Sequence, residues 1–310
     1  MKKTKSGLKQ LFVPGMFFED MGITYLGPVD GHDIRKLYKT FQEARRVDHA
    51  VLVHVLTKKG KGYGPAEENP SRFHGIVPFD IETGEAKEKS SKDSYTDIFS
   101  KVFCDIAKQN DAVVGITAAM ADGTGLARFA RMFPDRFFDV GIAEEHALTF
   151  AAGLAAGGLK PVVAVYSSFL QRAFDQAIHD VCLQNLPVMI AVDRAGLVGS
   201  DGETHQGLFD LSFLNMIPNM TILSPKNRWE MADMVRFCAD FQYPVALRYP
   251  RGAAYEGLSA FRTPIVYGKS EILYEEEDIA VIFVGHMAEL AVQVRDRLKE
   301  IGYHCSLINA

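Results

Sequence analysis

The chain has 310 residues, a length that accommodates two domains. It is 47% hydrophobic and 24% charged, as ordinary globular proteins are, and its net charge of −5 argues against a nucleic-acid-binding or membrane-surface protein. No apolar run reaches membrane-spanning length, the basic start MKKTKSGLK lacks the apolar stretch of a secretory signal, and the four scattered cysteines indicate buried thiols in a reducing cytoplasm.

The first part of the chain predicts a strand, a helix and a second strand. Residues 23–31 (ITYLGPVDG) predict a short strand, residues 32–46 a helix with an apolar stripe, and residues 50–60 (AVLVHVLTKKG) a buried parallel strand. A polar loop with several glycines follows. Because two strands and one helix have no further sheet to join, we expect this segment to be a piece of a larger domain.

Charged residues without periodicity at 85–93 (EAKEKSSKD) predict a linker. Beyond it, helices alternate with the strand-like runs AVVGITA, FFDVGI, PVVAVYS, PVMIAVD, TILSP and VALRY. This alternation predicts an α/β domain, a parallel sheet with helices on both faces, whose ligands sit beyond the carboxyl ends of the strands. After PVVAVYS, the stretch SFLQRAFDQAIHDVCLQ predicts one helix whose apolar face consists of Phe169, Ala173, Phe174, Ala177, Ile178 and Val181. A last β-α-β unit near the end of the chain is too small to bury a core alone, so it is expected to be the start of another domain.

The stretch FFDVGIAEEHALTF places Glu144, Glu145 and His146 where a buried strand passes into a helix. A partly desolvated carboxyl group there would readily share a proton with a ligand nitrogen. The other interpretation is a helix N-terminus, where acidic residues favour the helix dipole.

Downstream, Tyr166 and Phe169 follow a strand and could wall a flat ring or simply form helix core. Arg172 and Asp175 have the spacing of a surface ion pair on a helix.

The glycine-rich loop DRAGLVGSDGETHQG, residues 193–207, follows another apolar strand. Its Arg194 suits a phosphate, while Asp201 and His205 could bind hydroxyl or carbonyl oxygens or exchange protons; the alternative is a solvated turn. Arg251, in RYPRG, is a second phosphate ligand or part of a salt bridge at a domain linker.

Two features near the start of the chain do not by themselves predict a ligand site. KKGKGYG, residues 58–64, lacks the full P-loop pattern and predicts no ATP site. His74, in SRFHG, has no local partner in the sequence, which is typical of a neutral structural histidine.

Six motifs in order, GPVDGHD, TKKGKGYGPAEENPSRFHG, FFDVGIAEEHA, VYSSFLQRAFDQ, DRAGLVGSDGETHQG and RYPRG, resemble those of the 1-deoxy-D-xylulose-5-phosphate synthases, thiamine-diphosphate enzymes of the transketolase superfamily. The resemblance implies a transketolase-like pyrimidine-binding domain at 93–252. It also implies a carboxyl-terminal piece of the diphosphate-binding domain at 1–87 and a truncated start of the transketolase carboxyl-terminal domain at 268–310.

The resemblance further implies that pyruvate adds to the cofactor, loses carbon dioxide and is joined to glyceraldehyde 3-phosphate, giving 1-deoxy-D-xylulose 5-phosphate for isoprenoid synthesis. On the cofactor side, Glu144 matches the glutamate that bonds N1′ of the aminopyrimidine, Phe169 the aromatic that stacks on that ring, and Tyr63 a tyrosine beside the cofactor. His74 matches a histidine near the reacting carbons.

On the acceptor side, Tyr166, Asp201 and His205 match residues that contact the aldehyde substrate, and Arg194 and Arg251 match its phosphate clamp. His205 is thereby also a candidate catalytic residue. The superfamily resemblance implies a homodimer, or a complementing amino-terminal fragment as partner.

The chain departs from the family pattern in two places. Glu145 stands where family members commonly have Gln. No match exists to the GDG-type motif that holds Mg²⁺ on the diphosphate, so the Mg²⁺ ligands are expected in an amino-terminal region that the sequence lacks. Two other hypotheses remain open: a non-catalytic interaction protein with the pyrimidine-domain fold, and another thiamine-dependent, transketolase-like enzyme with a different acceptor.

Overall fold

The computed structural model describes residues 16–87 and 92–310, which divide into two compact units, Met1–Lys89 and Ser90–Ala310. The expected linker at 85–93 lies partly outside the described residues. No helix in the described part is long and apolar enough to cross a membrane.

The first unit is a small α/β arrangement. Its elements are α1 (Met16–Asp20), β1 (Thr24–Asp30), α2 (Ile34–Ala44), β2 (Val51–Leu56) and α3 (Gly64–Glu68). The two strands pair with each other in parallel. Asp33 caps α2 by accepting hydrogen bonds from the Arg35 and Lys36 amides. Of the residues described in this unit, only Ala66 and Gly84 are buried.

The second unit is built on a six-stranded, all-parallel sheet, as the alternating pattern predicts. Its strands, in spatial order, are β4 (Phe137–Asp139), β3 (Val113–Thr117), β5 (Lys160–Tyr166), β6 (Met189–Asp193), β8 (Val245–Arg248) and β7 (Thr221–Leu223). Every residue of β3, β6 and β8 is buried, which explains why these strands read as continuous apolar runs.

Helices cover both faces of this sheet. On one face lie α4 (Tyr95–Ala107) and α10 (Arg228–Asp240); on the other lie α6 (Glu144–Ala156) and the segment that follows β5. Two shorter helices, α5 (Leu126–Met132) and α9 (Asp210–Asn215), complete this part. A capping box between Ser94 and Asp97 fixes the start of α4.

The segment after β5 differs from the single predicted helix. It consists of α7 (Ser167–Leu170), a 3₁₀ turn (Gln171–Ala173), α8 (Phe174–Gln176) and a π-helical stretch (Ala177–Cys182). The predicted apolar face is nevertheless right, because Ala173, Ala177 and Val181 are buried. Periodicity detects which side is apolar, but it does not detect a change of hydrogen-bond pattern within a helix.

The end of the chain adds a three-stranded sheet in the order β10 (Ile279–Phe283), β11 (Cys305–Asn309), β9 (Glu271–Tyr274), with α11 (Ala288–Glu300) between β10 and β11. The β-α-β prediction is right, whereas the sequence analysis did not predict the antiparallel strand β9. All four cysteines are free and buried, as predicted.

Candidate functional site

The carboxyl ends of β5, β6 and β8 lie side by side at one edge of the six-stranded sheet. Tyr166 ends β5 and is in register with Asp193, which ends β6; Val192 is in register with Arg248, which ends β8. The loops that follow these strands therefore begin next to one another, which is the position expected for a ligand site in a parallel sheet.

Glu144 is the first residue of α6, and its side chain is only 2% exposed. The turn before it is held by Asp139, whose Oδ1 accepts hydrogen bonds from the amides of Ala119 (2.8 Å) and Gly141 (3.0 Å). Glu144 Oε1 accepts a hydrogen bond from Arg172 Nη1 at 2.5 Å, whereas Oε2 is buried without a partner. A buried carboxylate oxygen without a donor is costly, so Oε2 is suited to a donor that a ligand brings.

The predicted ion pair between Arg172 and Asp175 is wrong. Arg172 pairs with Glu144, and Asp175 pairs with His179 at 3.0 Å. The buried carboxylate attracts the guanidinium more strongly than an exposed one, because less water screens the interaction.

Three rings form an aromatic wall beside this carboxylate: Phe169, Tyr166 and His205. The Phe169 centroid lies 5.7 Å from that of Tyr166 and 5.1 Å from that of His205. The Arg172 guanidinium lies over the Phe169 ring, 4.8 Å from its centroid, and so connects the wall to Glu144. The structure thus brings together the carboxylate and the aromatic residues that the sequence proposed separately.

Arg194 and Arg251 share one carboxylate, that of Asp201. Arg194 Nε donates to Asp201 Oδ2 at 3.1 Å, and Arg251 Nη1 donates to Asp201 Oδ1. Arg194 Nη1 also donates to the Gly123 carbonyl (2.7 Å) and to Asp193 Oδ1 (3.1 Å). Two guanidinium groups that converge on one anionic group form an arrangement suited to a phosphate.

The glycine-rich loop at 194–207 closes on itself. Gly196 and Gly207 exchange backbone hydrogen bonds of 2.7 and 2.8 Å, and the Gln206 side chain accepts from the Val198 amide. Gly207 leaves no room for a side chain, since a Cβ would lie 2.3 Å from the Arg194 carbonyl oxygen. The loop is therefore held by its own hydrogen bonds, while Gly202, Glu203 and Thr204 within it are exposed to solvent.

Arg194 links this loop to the aromatic wall, because its guanidinium carbon lies 3.8 Å from the Tyr166 ring centroid. Burial raises the pKa of the Tyr166 hydroxyl, against the opposing effect of Arg194. Burial also raises the pKa of Asp193 to about 6, although Arg194 and a hydrogen bond from Thr96 oppose the shift.

Tyr63 and His74 lie in the first unit. The Tyr63 ring packs edge-on against Phe73 (centroids 5.5 Å apart), and its hydroxyl donates to the Ile81 carbonyl at 2.9 Å. His74 has no partner among its sequence neighbours, but Lys59, 15 residues earlier, brings its Nζ to 3.0 Å from His74 Nδ1. This contact depends on how the loop after β2 folds, which sequence neighbours do not reveal.

Glu145 and His146, the two residues that follow Glu144, lie outside these contacts. Glu145 is exposed, and the His146 ring is stacked on Phe150 with centroids 5.9 Å apart. Sequence reasoning missed the Arg172–Glu144 contact and the contacts of Gly123 and Asp193 with Arg194. The one signal available for Asp193 was a carboxylate at the end of an otherwise apolar strand.

Comparison with known families gives two matches. Residues 91–256 match the family described as "Transketolase, pyrimidine binding domain", and residues 1–57 match the family described as "1-deoxy-D-xylulose-5-phosphate synthase".

Two curated relatives, both described as 1-deoxy-D-xylulose-5-phosphate synthase, come from Lachnoclostridium phytofermentans (57% identical) and Caldanaerobacter subterraneus (52% identical). Each match covers 100% of this chain and 50% of the relative. The chain thus spans about half the length of the curated relatives it matches.

Two solved structures are similar in fold. A structure described as "Split gene transketolase, inactive beta4 tetramer" has a TM-score of 0.63 and 27% identity, over 71% of each chain. A transketolase from Campylobacter jejuni has a TM-score of 0.62 and 18% identity, over 97% of this chain and 58% of its own length, which shows the fold alone.

Proposed function

Because the chain belongs to the family of the transketolase pyrimidine-binding domain, we propose that it supplies the aminopyrimidine side of a thiamine-diphosphate site and the acceptor site of a 1-deoxy-D-xylulose-5-phosphate synthase. The reaction joins pyruvate to glyceraldehyde 3-phosphate with loss of carbon dioxide. The observation that carries the proposal is the buried, unpartnered Oε2 of Glu144 next to the aromatic wall.

The residues present fit the aminopyrimidine group. Thiamine diphosphate, when bound, supplies the carbonyl-addition chemistry that protein side chains lack. Arg172 donates its hydrogen bond to Oε1 of Glu144, so Oε2 is left to bind a ring nitrogen of the cofactor and to exchange a proton with it. Phe169 offers a flat face for the ring. The motif resemblance supports Tyr63 as a further cofactor contact and His74 as a group near the reacting carbons.

Mg²⁺ belongs to the same proposal, with ligands from outside the described residues. Within 16–87 and 92–310, no group of three or more His, Cys, Asp or Glu side chains could hold a metal ion. The motif resemblance, in which a GDG-type motif upstream of GPVDGHD holds Mg²⁺ on the diphosphate, supports assigning the Mg²⁺ and diphosphate contacts to other parts of the functional assembly.

The acceptor site is proposed to lie at the arginine pair. Arg194 and Arg251 would bind the phosphate of glyceraldehyde 3-phosphate in competition with Asp201, which they hold without ligand. Tyr166 and His205 would contact its hydroxyl or aldehyde oxygen, because the Tyr166 ring lies against Arg194 and the His205 ring lies next to Tyr166, with centroids 6.0 Å apart.

We propose that activity requires a complementing part, supplied by another polypeptide or by further sequence, and a second copy of the assembly. The half-length coverage of the relatives supports this, as does the similar structure whose description reads "Split gene transketolase, inactive beta4 tetramer".

A chimera tests the proposal directly. The aligned 310 residues of the Lachnoclostridium phytofermentans relative would be replaced by this chain. We expect the purified chimera to release carbon dioxide from pyruvate only in the presence of glyceraldehyde 3-phosphate, thiamine diphosphate and Mg²⁺.

The matched variants are Glu144→Gln and Glu145→Gln. Loss of the proton-exchanging carboxylate should lower kcat by about 10²–10⁴-fold, whereas the exposed neighbour should leave it within about twofold. A folded chimera without product, or equal effects of the two substitutions, would refute the proposed function.

A further inference from the structure

Asp193 is a fully buried carboxylate that contacts Arg194, one of the two arginines of the proposed phosphate clamp. Its exposed fraction is 0%; Thr96 Oγ1 donates to its Oδ2 at 2.7 Å, and Arg194 Nη1 donates to its Oδ1 at 3.1 Å. A charged carboxylate in the protein interior is costly unless a nearby positive charge compensates it. For Asp193, the guanidinium of Arg194 supplies that positive charge.

Arg194 itself is held in an unusual conformation. Its φ is +60°, in the left-handed region that disfavours residues with a side chain. Three groups outside residues 194–207 fix its guanidinium: the carboxylate of Asp193, which ends β6, the carbonyl of Gly123 at 2.7 Å and the ring face of Tyr166. Asp201 is the one contact that belongs to the loop.

The neighbours of Gly123 show how little freedom this arrangement has. A Cβ at Gly123 would lie 1.6 Å from the Tyr166 hydroxyl oxygen, so Tyr166 packs directly against Gly123. The carbonyl of the same glycine accepts the hydrogen bond from Arg194. The guanidinium is therefore oriented by buried, short-range contacts before any ligand arrives, which is the condition for preorganised anion binding.

We propose that Asp193, with Thr96 as its hydrogen-bond donor, is a positioning residue that orients the Arg194 guanidinium toward the phosphate of the acceptor substrate. The identity of the anion rests on the proposed function, whereas the orientation of Arg194 does not. Asp193 touches no substrate; it acts through Arg194.

The proposal predicts a dependence on pH. Burial raises the pKa of Asp193 to about 6, so the carboxylate is charged at pH 7.5 and largely neutral at pH 5. The titratable groups facing Asp193 are Arg194 and the hydroxyls of Tyr166 and Tyr249, and burial raises the pKa of both tyrosines. Because the pKa of both tyrosines lies above its ordinary value of 10, neither hydroxyl ionises between pH 5 and 7.5. Asp201 and His205, which contact Arg194 and Tyr166, are present in both the wild type and Asp193→Asn, so the difference between these two proteins reports on Asp193.

The first experiment measures hydrogen exchange of the Arg194 guanidinium by NMR in the full chain, with the signal assigned by its loss in Arg194→Lys. At pH 7.5 we expect exchange at least about tenfold slower in the wild type than in Asp193→Asn, as for loss of one charge-assisted hydrogen bond. At pH 5 the two should agree within about twofold, because Asp193 is then protonated.

Thr96 provides a second pair of variants should the Asn variant fail to fold. Thr96→Ser keeps the hydroxyl donor and should match the wild type, whereas Thr96→Val removes it and should shift the protection of Arg194 to higher pH. Protection that is equal in Asp193→Asn and wild type, or in the two Thr96 variants, overturns the proposal.

The second experiment uses the chimera at pH 7.5. Asp193→Asn should raise the KM for glyceraldehyde 3-phosphate about tenfold and leave the KM for pyruvate unchanged, since only the phosphate needs Arg194. An inactive chimera would refute the proposed function, while the NMR result would still decide the role of Asp193. Equal changes in both KM values would indicate a merely structural role and contradict the proposal.

Discussion

Replacing Asp210 should destabilise the second unit more than any exposed charge change. Asp210 begins α9, three residues after Gly207 at the end of the glycine-rich loop, and is 1% exposed. It accepts two hydrogen bonds from Arg248, at 2.9 Å to Nε and 3.2 Å to Nη2, and Arg248 is itself 4% exposed. This ion pair ties the end of the loop to the end of β8, three residues before Arg251.

The magnitude follows from what the substitution leaves behind. In Asp210→Asn, the buried Arg248 guanidinium keeps an amide oxygen as acceptor and a long contact to Ser224 Oγ, at 3.4 Å, but it loses its negatively charged partner. An uncompensated buried charge of this kind costs about 3–5 kcal/mol. The matched control is Asp105→Asn, because the Asp105–Lys108 pair on α4 is half exposed and should contribute less than about 0.5 kcal/mol.

Urea unfolding followed by tryptophan fluorescence measures the effect in the right unit, since the chain's one tryptophan, Trp229, lies on α10. The double variant Asp210→Asn/Arg248→Met should be more stable than Asp210→Asn alone, because it buries no unpaired charge. A loss below about 1 kcal/mol for Asp210→Asn, or no recovery in the double variant, would refute the reasoning.

Three further predictions concern the stability and the accessibility of residues in the second unit. Gly123→Ala should cost about 1–3 kcal/mol, because its Cβ would lie 1.6 Å from the Tyr166 hydroxyl, whereas Gly153→Ala, in a helix with open space around it, should stabilise by about 0.5–1 kcal/mol. Folding raises the pKa of Asp193 from 3.8 to about 6, so its contribution to the free energy of unfolding is greatest below pH 3.8 and is lost as the pH rises through about 6. Relative to Asp193→Asn, the free energy of unfolding of the wild type should fall by about 3 kcal/mol over this window, as measured by urea unfolding at pH 4 to 7. Cys182 should react with a thiol reagent only on unfolding, because burial raises its pKa to about 12; rapid reaction in the native chain would contradict the buried position.

The sequence alone determined the architecture of the second unit. The apolar runs of β3, β5 and β6 and the helical periodicity between them are local signals, and the parallel sheet follows from their alternation. The prediction that polar residues after neighbouring strands meet at one edge of the sheet follows from the same rule. The motif resemblance alone pointed to Tyr63 and His74, because neither carries a pattern with a physical meaning of its own.

Only the tertiary structure decided the partners. Arg172 is nearer in sequence to Asp175 but pairs with Glu144, 28 residues away; Asp193 reaches Thr96 across 97 residues. Such choices depend on which groups are buried together, since charges and hydrogen bonds strengthen as water is excluded, and burial is a property of the packed molecule rather than of sequence spacing. The sequence therefore predicted Glu144, the aromatic residues and the arginines as candidate site residues. The fold alone determined which oxygen of Glu144 was left without a partner.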